Sequence, residues 1–198
     1  MENEQALVDR FCNGDVSAFQ DIVELYKKKV YYLAYDITGN HYDAEDISQE
    51  VFIKVFRSLK KFRRDAKMSS WLYQITVNTS IDSLRTSSSR MKKLTDQLEE
   101  GNLQKNLPES GETTNDPERS LEAAMIQKQL SQVLQCVSPR ERAVFVMRHY
   151  NDFKMNEIAE ILNVSVGTVK SLLFRAIKKL RRELSIYMGN PEWEVTYE

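Results

Sequence analysis

The sequence predicts an all-α protein built as two small helical domains joined by a flexible linker. Three observations predict it. Apolar residues recur mostly at intervals of three and four along much of the chain, the period of an amphipathic helix and not of a strand. Only six Gly and four Pro interrupt the 198 residues, too few for the turns of a β sandwich. A polar stretch without periodicity separates two helical regions, and a chain of this length suits one medium domain or two small ones.

The elements follow in order. From Ala6 to Leu33 the apolar positions, among them Leu7, Phe11, Phe19, Ile22, Tyr26 and Val30, give a short helix and a longer one, split by the turn signal Asn13-Gly14-Asp15. Gly39 to Tyr42 breaks the pattern. Asp43 and Asp46 then precede a stripe of Ile47, Val51, Val55 and Leu59 that ends on Lys60 and Lys61, the acid-first polarity favoured by the helix dipole. A basic loop to Ser70 leads into Trp71, Leu72, Ile75, Ile81 and Leu84, and Thr86 to Ser89 reads as a polar stop. Residues 1–90 are therefore expected to form a four-helix bundle.

Residues 91–117 read as the linker, rich in polar residues, Gly and Pro; from Asp96 to Glu122 acids far outnumber the two cations, Lys105 and Arg119. Residues 118–187 form the second domain, with helices expected over 121–137, 139–150, 155–162 and 165–187. Residues 188–198 form an acidic tail.

Composition excludes several classes. Lys and Arg total 28 against 29 Asp and Glu, so the chain as a whole is no basic coat for nucleic acid, although charge can still segregate locally. Two cysteines, Cys12 and Cys136, without CxxC spacing give neither a disulfide framework nor a zinc finger. The start MENEQALVDR lacks the features of a secretory signal, and no stretch approaches the ~18 apolar residues of a membrane span. A cytoplasmic protein without direct membrane insertion is expected. No P-loop, dinucleotide glycine pattern, GxSxG or HExxH occurs, and the two histidines, His41 and His149, lack ligand spacing. The sequence therefore predicts no catalytic residue, no metal site and no cofactor.

The sharpest local signal runs from Lys154 to Lys170. Ile158 and Leu162 form one apolar stripe, small Ala159 allows close helix approach, Asn163 suits a left-handed turn, Val164 plugs the corner and Ser165 caps a second helix. This is helix-turn-helix patterning. Val169, Leu172 and Leu173 bury that second helix, which leaves Ser165, Thr168, Lys170, Ser171, Phe174, Arg175 and Lys178 as groove-facing candidates, beside exposed Val166 and Gly167. Lys170 to Arg182 contains six cations and no acid, a positive ridge for phosphates or a solvated basic helix end. Arg175 could donate to a guanine edge or simply meet a phosphate.

A second basic surface lies in the first domain. Lys60, Lys61, Arg63, Arg64, Lys67, Arg85, Arg90, Lys92 and Lys93 are opposed between residues 60 and 93 only by Asp65 and Asp82, with Phe62, Trp71 and Tyr73 among them. Cations interleaved with aromatic rings suit single-stranded nucleic acid. By its helical spacing from Ile75, Trp71 suits the core better than a stacking platform.

Three motifs now stand in register: Asp43 to Phe52, Trp71 to Asn78 with Asp82 and Arg85, and Ser138-Pro139-Arg140-Glu141-Arg142 before the helix-turn-helix. With these the chain resembles the bacterial sigma factors of RNA polymerase, specifically the small extracytoplasmic-function group with sigma regions 2 and 4. The resemblance implies a promoter-specificity subunit. Asp43, Asp46, Gln49 and Glu50 would dock on the coiled coil of the polymerase's largest subunit. Lys60, Lys61, Arg63, Arg64, Lys67, Trp71, Asn78 and Arg85 would open and hold the minus-10 element, with a flipped base taken by the loop at 63–70. The second domain would bind the polymerase flap and read minus-35 duplex, the linker would enter the RNA-exit and active-centre channels, and an anti-sigma factor would restrain the protein.

Local alternatives remain open at this level. The first-turn acids also suit a capped, solvated helix start, and Asn78, Asp82 and Arg85 could pair along their own helix. A stand-alone helix-turn-helix regulator shares the second motif, and the linker could be an inert tether. Two basic faces on separate domains also suit a clamp that closes around an inhibitor and opens on polymerase.

Overall fold

A computed structural model describes residues 4–62, 67–97 and 133–187. Arg63 and Arg64, most of the linker, the first part of the helix expected over 121–137, and the acidic tail lie outside the described residues. Among those described, the secondary structure is helical throughout, as expected. Seven α-helices occur among the described residues: α1 Glu4–Cys12, α2 Ser17–Thr38, α3 His41–Ser58, α4 Met68–Gln97, α5 Pro139–His149, α6 Met155–Leu162 and α7 Val166–Tyr187, with 3-10 turns at Leu59–Lys61 and Leu134–Cys136.

Local chemistry sets the boundaries. Gly14 takes φ 101° between α1 and α2, a value that a side chain rarely tolerates, and Asp15 follows it, accepting the Ser17 amide at 3.0 Å to start α2. Gly39, at φ 72°, ends α2 by donating its N–H to the Tyr35 carbonyl. The break expected over Gly39 to Tyr42 is confined to two residues, because the Asn40 side chain accepts the Asp43 amide at 3.1 Å and lets α3 begin at His41.

The polar run Thr86 to Ser89 does not stop α4, which continues to Gln97. Thr86 donates its hydroxyl to the Asp82 carbonyl four residues back. A hydroxyl satisfied in this way competes little with the helix.

Helices α1 to α4 form the expected bundle. Its core joins Leu7, Val8 and Phe11 of α1, Ile22, Tyr26 and Val30 of α2, Ile47, Val51 and Val55 of α3, and Leu72 of α4. Phe11, Phe19 and Phe56 meet edge to face or tilted at centroid distances of 5.0 to 5.8 Å. In the second unit, Val133, Leu134 and Val137 bury against Ala176 and Leu180 of α7. The C-terminal end of the helix expected over 121–137 is therefore a 3-10 turn pinned under α7.

The two units do not keep separate cores. Leu33 and Ile37 of α2 and Val77 and Ile81 of α4 join Val144, Met147, Ile158, Ile161, Val169 and Leu172 in one buried cluster. Tyr73 of α4 meets Phe153 edge to face at 5.4 Å. At the rim, the Asn151 amide donates to the Asp36 carboxylate at 3.0 Å. A helical unit as small as α5 to α7 buries little on its own, so the C-terminal end of α2 and the middle of α4 complete its core.

Two outcomes test this packing. Ile37→Ala removes a fully buried side chain from the shared cluster and should lower unfolding free energy by about 2 to 5 kcal/mol in urea titration. Burial raises the Asp36 pKa above its ordinary value, the Asn151 hydrogen bond offsetting only part of the rise. The folded state therefore favours protonated Asp36, and this stability is lost as pH rises through the raised pKa. Compared with wild type, Asp36→Asn should lose less stability between about pH 4 and neutrality, read as the urea midpoint against pH.

Candidate functional site

Three surfaces carry the residues singled out above. The first is the solvent face of α3. Asp46, Gln49 and Glu50 are exposed there, while Asp43 is half-buried, and burial, with neighbouring Asp46, raises the Asp43 pKa. Glu50 is not a lone charge: it pairs with Lys54 at 2.7 Å, and Lys54 in turn donates to Thr79 of α4 at 3.0 Å.

The face also holds apolar residues that the acidic motif hides. Tyr42 is 74% exposed, Ile53 50% and Phe56 42%. Together with Asp46 and Gln49 they fall at 42, 46, 49, 53 and 56, alternating steps of four and three. That is the spacing of a helix presenting a seam to another helix. Beside the seam, between α2 and α3, lies a 430 Å³ cleft whose walls include Val23, Tyr31, Tyr32, Gln49 and Phe52. The periodic signal was present in the sequence but overlaid by the core stripe of Ile47, Val51 and Val55, which has the same period on the opposite side.

The second surface runs from the turn after α3 onto α4. Lys60, Lys61 and Lys67 are exposed. Trp71 is half-buried, its ring tilted against Phe62 at 5.0 Å, and it packs on the edge of the first core. Trp71 thus has one face against the core, as its helical spacing from Ile75 predicts, and some surface left open. Asn78 and Arg85 are exposed one and two heptads further along α4, so all three lie on one stripe, with only ~20° of drift per heptad. Arg85 pairs with Asp82 at 3.6 Å, whereas Asn78 makes no hydrogen bond among the described residues. Helix-internal pairing thus accounts for Arg85 and not for Asn78.

The third surface is α7 and its approach. Asn163 adopts φ 51°, ψ 51°, and Val164 donates its amide back to the Ala159 carbonyl at 3.0 Å. Ser165 accepts the Thr168 amide at 3.1 Å and shares a hydroxyl contact of 2.9 Å with the Thr168 side chain. Val169, Leu172 and Leu173 are buried; Ser165, Thr168, Lys170, Ser171, Phe174, Arg175 and Lys178 are exposed. The buried and exposed positions of α7 fall where the sequence predicts, except that Val166 is half-buried against the shared cluster.

A residue that sequence reasoning used only as a family marker sits under this surface. Glu141 of α5 is buried, caps its own helix by accepting the Ser138 amide at 2.9 Å, and accepts from Lys179 at 2.7 Å. Its other oxygen lies 3.7 Å from Arg175 Nε. Burial alone would raise its pKa, but hydrogen bonds from Lys179 and Ser138 outweigh that and hold it below the ordinary value. No single residue of the sequence announces this, because α5 and α7 meet only in three dimensions.

No cluster of His, Cys, Asp or Glu among the described residues could hold a metal. His41 stacks on Tyr35 at 4.3 Å and bonds the Tyr31 hydroxyl, and His149 packs on Phe145. Cys12 and Cys136 are half-buried free thiols. Among the described residues no helix is long and apolar enough to cross a membrane.

Comparisons with known proteins match both helical units. The family model "Sigma-70 region 2" matches residues 22–90, and "Sigma-70, region 4" matches residues 127–180. The ECF RNA polymerase sigma factor SigW of Bacillus subtilis is 34% identical over 176 residues, covering 86% of this chain and 91% of that protein. Among solved structures, CnrH in complex with the cytosolic domain of CnrY superposes with a TM-score of 0.63 at 19% identity, covering 92% of this chain and 97% of that one. The sigma factor RpoE bound to the anti-sigma factor NepR, from Bartonella quintana, gives 0.60 at 19% identity, covering 86% and 99%. These last two establish the likeness of fold.

The geometry gives one stability test. Ser165→Ala removes the cap of α7 and should cost about 0.5 to 2 kcal/mol, read as a lower thermal midpoint with unchanged α1 to α4 signals in NMR spectra.

Proposed function

The chain belongs to the ECF sigma factors of RNA polymerase, and we propose that α3 docks it on the polymerase while α4 and α7 read the two promoter elements. As a sigma factor it directs promoter-specific initiation of transcription. The observation that carries the docking assignment is the heptad-spaced seam on α3. A coiled coil of the polymerase's largest subunit would receive Tyr42 and Ile53 as apolar knobs, with Asp46 and Gln49 giving polar register between them and Phe56, already packed on Phe11 and Phe19, closing the end of the seam. Asp43 and Glu50 flank that seam, Glu50 through its pair with Lys54.

The minus-10 assignment rests on the stripe of Trp71, Asn78 and Arg85 next to exposed Lys60, Lys61 and Lys67. Aromatic and cationic groups in that order suit an unpaired strand: a base stacks and cations hold its phosphates. Capture of a flipped base would offset the few kcal/mol of unpairing without nucleotide hydrolysis. Arg63 and Arg64 extend the same basic run in sequence.

For minus-35, exposed Thr168, Lys170, Ser171, Phe174, Arg175 and Lys178 lie on the second helix of the motif, which sits in the major groove in proteins of this design. Ser165 at its N-terminus would meet a phosphate. Phe174 and half-buried Val166 make the reading face less polar than cations alone would, which favours contact with a thymine methyl. The polymerase flap would be met by this second unit.

Reading both elements at once requires the shared core to part. Positions ten and thirty-five base pairs upstream are separated by roughly 85 Å at ~3.4 Å per base pair. A compact chain of this length has a radius of gyration of only about 16 Å. An anti-sigma partner follows from the same surfaces, since the seam and cleft of α2 and α3 leave apolar area needing cover away from polymerase. The site of action would be the cytoplasm, where the polymerase is. No reading as a stand-alone regulator gains support, because regions 2 and 4 match in order on one chain.

Two variants should separate these roles. Arg175→Ala should weaken minus-35 recognition by about 1 to 3 kcal/mol and leave core binding intact, measured by promoter competition and by core-binding titration. Ile53→Asp should do the reverse, costing core binding about 2 kcal/mol or more. Equal effects of both variants on core binding would contradict the division.

A further inference from the structure

We propose that Glu141 is a positioning residue for promoter readout: its buried carboxylate holds Arg175 by the Nε end, so that the two terminal Nη groups face DNA as a ready pair. The inference rests on the reading of α7 as the minus-35 helix.

Glu141 is only 3% exposed, and a carboxylate is costly to bury unless donors surround it. A helix cap does not require this. The third residue of a capping box commonly lies at the surface, and glutamine serves there as well as glutamate. Glu141 instead lies beneath α7 and serves two cations one turn apart: Oε2 accepts Lys179 Nζ at 2.7 Å, and Oε1 lies 3.7 Å from Arg175 Nε.

Arg175 donates its single Nε–H to the Ser171 carbonyl at 3.3 Å, so Glu141 acts on the same end of the guanidinium through charge, as an ion-pair partner beyond hydrogen-bond reach. Both contacts thus use the guanidinium nitrogen nearest the chain. The two Nη groups make none among the described residues, and the side chain remains 58% exposed. A guanidinium recognises guanine through two parallel donors in a fixed fork. An arginine fixed at Nε has its fork oriented before DNA arrives, so less freedom is lost on binding. Lys179, tied to the other oxygen, keeps α5 and α7 in register beneath it.

The experiment uses the full chain with core polymerase and a panel of promoters substituted singly through the minus-35 element. Preference at each base pair is measured for wild type, Glu141→Gln, Arg175→Ala and the double variant. Glutamine retains the cap acceptor and removes the charge. Glu141→Gln should flatten preference about tenfold at the base pair that Arg175→Ala also flattens, leave core binding unchanged, and add nothing in the Arg175→Ala background.

A loss that is spread evenly over all base pairs, or equal with and without Arg175, would make Glu141 a structural tie only and overturn the proposal. If Arg175→Ala matters and Glu141→Gln does not, the positioning role alone fails. If Arg175→Ala leaves every preference intact, the reading of α7 at that residue fails and the positioning role falls with it. A measurement on the unmutated protein guards against a misfolded variant: the Arg175 Nε–H should exchange slowly and show one side-chain conformer by NMR. A rapidly exchanging, averaged signal would overturn the proposal.

Discussion

The buried cluster between the two units is the constraint on which the rest depends. α2 and α4 each face two cores. Along α2, Ile22, Tyr26 and Val30 serve the first, while Leu33 and Ile37 serve the second; along α4, Leu72 serves the first, and Val77 and Ile81 the second. The short helices α5 and α6 find apolar partners there that the second unit alone would not supply. The same packing fixes where the helix-turn-helix stands on the bundle. The polar contact of Asn151 with Asp36 lies at the rim, where a partly buried carboxylate weakens the joint more than it strengthens it as pH rises.

Charge is sorted within that frame. The chain is almost neutral, with 28 basic and 29 acidic side chains, yet exposed cations cluster on the turn before α4 and along α7, with a further run at Lys27 to Lys29 on α2. The acidic and amide groups of α3 face elsewhere. Under the proposed assignment, such segregation would let one small protein address a protein helix with one face and nucleic acid with two others. Nearly neutral overall charge limits adhesion to DNA at large, since each phosphate contact adds sequence-independent affinity. Selectivity then falls to a few oriented side chains.

The sequence revealed most of what local physics controls. The turn at Gly14, the stop at Gly39, the cap at Ser165 and the left-handed Asn163 each follow from the residue's own conformational preferences. The exposed positions of α7 followed from one apolar stripe. What stayed hidden was non-local. The sharing of one core by Ile37, Ile81 and Met147 cannot be read from periodicity, which says that a face is buried and not against what. Glu141 looked like an ordinary capping residue because its two cationic partners lie far along the chain. Tyr42, Ile53 and Phe56 escaped notice because a stronger stripe ran along the same helix. The end of α4 was misread because hydroxyl side chains can break a helix or continue it, depending on whether they reach the carbonyl four residues behind.

The central claim is that a protein closed on itself when free must part its two units to serve a promoter. The most direct measurement is the distance between spin labels on exposed positions of α2 and α7 outside the proposed contact surfaces, at Gln20→Cys and Leu184→Cys, with Cys12 and Cys136 replaced by serine. It would be recorded for the free protein and for the holoenzyme on promoter DNA. One short distance is expected in the free protein, within a compact body, and an increase of tens of ångströms on the promoter. An unchanged distance in a transcribing complex would contradict it.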